Sequence, residues 1–130
     1  MENYAAMKIA RKVDIYGCTS GALICAITAL RLLLENKKKD RKTILLWLEE
    51  HEKELDICLE YSKMENMELL AAKTTKAKRI IEKVKENLQH NKNINEIRQE
   101  LATAVKELEK LRSELLEQQE QLKKLLPALI

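Results

Sequence analysis

From Ile94 to Leu125 side chains recur at alternating spacings of three and four residues: Ile94, Ile97, Leu101, Ala104, Leu108, Leu111, Leu115, Gln118, Leu122 and Leu125. This is the a/d seam of a coiled coil, sustained for about four heptads. The other positions of the segment are mostly charged or polar, so a lone helix would carry a leucine stripe in water. The seam must therefore face another helical surface. Gln118 interrupts it, either as a polar residue that fixes register and partner number or as one tolerated near a fraying end.

Composition narrows the fold further. The chain has 130 residues, 2 Gly, 1 Pro and no Phe, with 35% charged and 45% hydrophobic side chains. Sheets, collagen and low-complexity disorder need turn formers, aromatics or polar bias that this chain lacks. Two polar clusters divide it, Asn36-Lys37-Lys38-Lys39-Asp40 and His90-Asn91-Lys92-Asn93. Asn36 suits a left-handed helix end, Asp40 suits an N-cap, and Asn93 with Glu96 reads as a variant capping box. Three helices are predicted, over 3–36, 41–89 and 94–126, with Pro127 ending the last. The expected fold is all-α, a single domain built as an elongated three-helix antiparallel bundle or coiled-coil hairpin.

Charge favours folding the third helix back on the second. Glu49–Glu68 is acidic and Lys73–Lys85 basic. A reversal at 90–93 would set the basic stretch against Glu96, Glu100, Glu107 and Glu109, and the acidic one against Lys110, Arg112, Lys123 and Lys124. Each exposed pair contributes only ~0.2–1 kcal/mol, so the pattern selects orientation more than stability. The same arrangement gathers Leu32–Leu34, Ile44–Leu48 and the tail Leu125–Ile130 at one end. A second helix of 49 residues, about 73 Å long, outruns its neighbours, so self-association or a helical partner is expected.

Residues 15–34 approach the ~20 apolar residues that span a bilayer, with Arg31 the one charge among them. Gly17 and Gly21 have the spacing that lets helices approach closely in lipid. Basic residues flank the run on both sides, which weakly favours a cytoplasmic C-terminal rod. Against a membrane span stand Arg31, Thr19, Ser20 and Thr28, and the narrow polar face formed by Thr28, Arg31 and Glu35. The favoured reading makes this run a buried bundle helix; the alternative makes it a transmembrane or membrane-inserted anchor, with Trp47 and the tail near the interface. Arg31 stands where a signal-peptide cleavage site would fall.

Catalytic and metal motifs fail on inspection. His51-Glu52-Lys53-Glu54-Leu55 lacks the second histidine of HExxH, and neither His51 nor His90 completes a Glu-x-x-His pair. No Gly-rich phosphate loop occurs, and the carboxylates lie in surface strings. Cys18, Cys25 and Cys58 are odd in number, with Cys18 and Cys25 about 10.5 Å apart on a helix, so they read as unpaired apolar thiols in a reducing compartment. The net charge of +3 is concentrated in residues 1–42, and no aromatic interleaves the basic stretch, which disfavours nucleic acid. Met64 and Met67 read as core before groove, and the terminal Ala-Leu-Ile is too common a pattern to assign.

The expected function is therefore non-enzymatic: a cytoplasmic scaffold, oligomerisation or adaptor protein without cofactor, metal or small-molecule substrate. Its partner helices would meet the seam residues Ile94, Ile97, Leu101, Leu108, Leu111, Leu115, Gln118, Leu122 and Leu125, together with Trp47.

Overall fold

A computed structural model describes residues 3–35, 41–90 and 93–129. They form four long helices, α1 (Tyr4–Leu34), α2 (Arg41–Met64), α3 (Glu68–Gln89) and α4 (Ile94–Lys123), followed by one short turn of helix, α5 (Leu126–Leu129). Ala, Leu, Glu and Lys fill them, which are strong helix formers. Asn93 caps α4 as expected, its side chain accepting from the Asn95 N–H at 3.0 Å. Asn36 and Asp40 lie outside the described residues. The last long helix stops at Lys123, and Pro127 sits in the first turn of α5, where its missing N–H costs nothing.

The single helix expected over 41–89 is two helices. Asn66 takes the left-handed conformation with φ 58°. The Met67 N–H donates to the Ser62 carbonyl at 2.8 Å and the Asn66 N–H to the Lys63 carbonyl at 3.1 Å. This pair of bonds is a Schellman motif, usually built on glycine and here on asparagine. The chain reverses there, so α3 runs back along α2.

Neighbouring helices are antiparallel throughout: α1 packs on α2, α2 on α3, α3 on α4, and α4 on α1, with little contact across the diagonal. Three long-range hydrogen bonds fix the α1–α4 register. Arg98 donates to the Leu34 carbonyl at 2.6 Å, Arg112 to that of Ser20 at 3.3 Å, and Gln119 to that of Val13 at 3.1 Å. The tail therefore lies beside the start of α1 and the α2–α3 turn, away from Leu32–Leu34 and Ile44–Leu48. Reversal at Asn66 is the reason the three apolar segments do not gather.

The same reversal redistributes the charge pairing. The acidic and basic stretches, expected to face the last helix, largely face each other: Lys85 bonds Glu52 at 3.2 Å, and Lys78 pairs with Asp56. Lys73 in the basic stretch does reach α4, meeting Glu114 at 2.6 Å and holding that carboxyl below the usual range, and Lys83 lines a groove with Glu96, Glu100 and Glu107.

Inside, the heptad seam supplies one wall of the core. Ile97, Leu101, Ala104, Leu108, Leu111 and Leu115 are buried, as are Leu23, Ile27 and Leu30 of α1 and Leu70, Ile81 and Leu88 of α3. Thr19, Ser62 and Thr74 are fully buried too. Their hydroxyls donate to carbonyls four residues back at 2.7–2.8 Å, so no partner from another helix is required.

Candidate docking surface on α1 and α2

Half of the apolar run points into this core; the other half defines a surface. Cys18, Gly21, Cys25 and Thr28 are exposed at alternating spacings of three and four, flanked by half-buried Ile24 and Leu32. A helix with one buried face normally carries charge on the opposite one. Here no charged residue occurs between Asp14 and Arg31. A Cβ added at Gly21 meets nothing within 4 Å, whereas one at Gly17 would approach the Gln119 side chain at 3.2 Å. Gly17 thus serves the α1–α4 contact, and Gly21 leaves the outer surface flat.

α2 forms the adjoining wall. Near the C-terminal end of α1, Trp47 and His51 line a shallow apolar groove of ≈ 260 Å³ with Ile24, Cys25 and Leu32. Toward the other end, a groove of ≈ 300 Å³ lies between Ile15 and Cys18 of α1 and Cys58, Tyr61 and Met64 of α2. Met64 is 71% exposed, Tyr61 52% and Ile57 54%. These are large apolar side chains on one helix, spaced to share a face, and such a patch beside a groove is a docking surface in form. Charged groups close the far margin, where Arg11 bonds Glu65 at 3.0 Å.

The two grooves hold thiols of two kinds. Cys18 and Cys25 are free and exposed, while Cys58 is free and buried. Burial pushes the Cys58 thiol above its ordinary range, against the smaller opposing effect of a hydrogen bond with Thr19. It is therefore a poor nucleophile at neutral pH. His51 is tucked beside Trp47, with Nδ1 3.4 Å from a Glu54 carboxylate oxygen. His90 is exposed. No group of three or more His, Cys, Asp or Glu among the described residues is arranged to hold a metal ion.

The sequence-predicted partner residues fall in three places. Ile97, Leu101, Leu108, Leu111 and Leu115 are in the chain's own core. Ile94, Gln118 and Leu122 are half-buried at its ends, and Leu125 is 50% exposed. Gln118 lines an open groove of ≈ 830 Å³ between α4 and the start of α3, and its Oε1 is buried without a hydrogen-bond partner. Trp47 alone of the predicted set belongs to the α1–α2 surface. The methionines divide, Met67 going into the core and Met64 to the surface.

The outer row of α1 is easily missed in the sequence because its residues are small, yet a signal exists. A run uncharged on every side for 16 residues, 15–30, exceeds what one buried face of a bundle helix needs.

The fold and this surface define a class, an antiparallel bundle of four helices with one uncharged outer face. No protein-family model matches the sequence, and comparison with curated proteins and with solved structures likewise finds no match.

Proposed function

We propose that the chain is a non-enzymatic helical adaptor or oligomerisation module whose docking surface is the outer face of α1 with the adjoining rim of α2. The observation that carries this is the uncharged outer row from Cys18 to Thr28 beside exposed Ile57, Tyr61 and Met64, in a chain that is 35% charged. In this reading the heptad seam, packed in coiled-coil fashion, builds the scaffold, and Ile97–Leu115 would meet a partner helix only if the bundle opened. Leu122 and Leu125 at its end remain available to one, and Trp47 belongs to the docking surface itself. The module works in a reducing compartment, consistent with three free thiols.

The native cysteines test it. In the dilute purified chain a maleimide labels Cys18 and Cys25 readily and Cys58 only after unfolding. Inside cells producing the protein, Cys25 is expected to label markedly more slowly. Equal rates in both settings would remove the reading.

A second reading rests on α1 itself, which has a window of mean hydropathy 1.7 and is long and apolar enough to cross a membrane, though half of that window is buried in the bundle. As an anchor, α1 would leave the other three helices to close their core without Leu23, Ile27 and Leu30. Alkaline carbonate extraction separates the two. Recovery in the supernatant is expected, and retention with the membranes would favour the anchor.

A further inference from the structure

We propose that the occupant of the α1 face is a second copy of this chain, packed with its own α1 antiparallel about a two-fold axis near Leu23; this deepens the docking-surface reading and rests on it. The charges that bound the uncharged row carry the choice. Along the outer side of α1 they run Arg11, Asp14, then nothing until Arg31, then Glu35, all four at least partly exposed, while Lys12 is turned to the groove beside α3 and α4. Reversing that order exchanges every sign. An antiparallel copy therefore places Arg11 against the partner's Glu35, and Arg31 against the partner's Asp14. A parallel copy would place each charge against its like, which costs rather than stabilises.

The same register suits the side chains between. With Arg11 opposite the partner's Glu35, Cys18 faces the partner's Thr28 and Gly21 faces the partner's Cys25. Small residues meet along the row, so the two helices can come closer than the 8–10 Å usual for packed pairs. Ile24 and Leu32 border the contact, and the shallow groove beside Trp47 opens onto it. An isologous interface of this kind closes at two copies. Arg11 and Arg31 already hold Glu65 and Glu109 within the chain, at side-chain exposures of 67% and 50%, so each guanidinium has open edges for a second carboxylate.

The full chain in sedimentation equilibrium is expected to be a dimer whose dissociation constant rises with salt. Arg11→Glu should weaken it by about tenfold at low salt, as two attractive pairs become repulsive. Arg11→Glu with Glu35→Arg should restore it, because the antiparallel pair is then re-formed with signs exchanged. Gly21→Arg, at a position where an added Cβ meets nothing within 4 Å, should give a monomer of unchanged helicity by circular dichroism. A chain that remains monomeric at the highest soluble concentration overturns the proposal. So does a dimer that the double exchange fails to rescue, as a parallel pairing would, or one that Gly21→Arg leaves intact. Sedimentation with liposomes of mixed neutral and anionic phospholipid that Gly21→Arg abolishes, with the chain monomeric in solution, would hand the face to a membrane. Cys25 protected in cells, with a monomer in the centrifuge, would sink the dimer and leave the docking surface standing.

Discussion

Leu108→Asp is expected to unfold the protein outright. Leu108 is fully buried at the middle of the α4 seam. Removing a buried leucine alone costs about 2–5 kcal/mol. The aspartate adds the penalty of an ionised group with no partner, in a core where the hydroxyls of Thr19, Ser62 and Thr74 all donate to carbonyls of their own helices. A domain of this kind holds about 5–15 kcal/mol of stability in all, so the combined loss exhausts most of it. Far-ultraviolet circular dichroism at 25 °C should show the helical signal largely lost. Leu108→Met conserves volume and should cost less than about 1.5 kcal/mol. A Leu108→Asp chain with full helicity and a cooperative melt would mean that the seam is not the core.

That seam is legible because its period repeats without interruption, and period is the one property a helix imposes directly on sequence. The helical class follows from it, and the end of α1 and the start of α4 follow within a few residues from the polar clusters beside them. Where the chain reverses is less legible. Asn93 announces α4 because an asparagine cap ahead of an apolar repeat has a recognised pattern. Asn66 sits between Glu65 and Met67 with no glycine or proline near, and apolar residues continue on both sides. Propensity alone reads straight through it. The informative signal is electrostatic: an acidic half followed at once by a basic half is what a hairpin of two short helices looks like when its pairs are Lys78–Asp56 and Lys85–Glu52. With the fold-back placed only at 90–93, the same charge pattern points to the wrong pair of helices. The docking surface suffers from the opposite problem. Cys18, Gly21, Cys25 and Thr28 carry neither charge nor bulk, so only burial distinguishes their outward row from the inward one of Leu23, Ile27 and Leu30.

Asn66 itself gives the second large effect. A left-handed residue without glycine's freedom costs roughly 1–2 kcal/mol, and asparagine is among the few side chains that adopt this conformation routinely. Asn66→Gly should preserve or slightly raise stability. Asn66→Ile, β-branched and poorly suited to positive φ, should lower it by about 1–2 kcal/mol, read as a shift in the urea midpoint. The route of relief matters as much as the loss. With residues 65–67 helical in that variant, α2 and α3 would join into one rod, and α3 could no longer return to its own α2. Its buried face, built on Leu70, Ala77, Ile81, Val84 and Leu88, would then be covered by another molecule's α2 in a domain-swapped dimer. The swap uses the α2–α3 contact rather than the α1 face, so it should persist when Gly21→Arg is added. Native mass spectrometry of the Asn66→Ile, Gly21→Arg chain should find dimers, while Asn66→Gly with Gly21→Arg should give monomers. Monomers of undiminished stability from the isoleucine variant would show that the reversal is held by the packing of α2 against α3 and not by the conformation of residue 66.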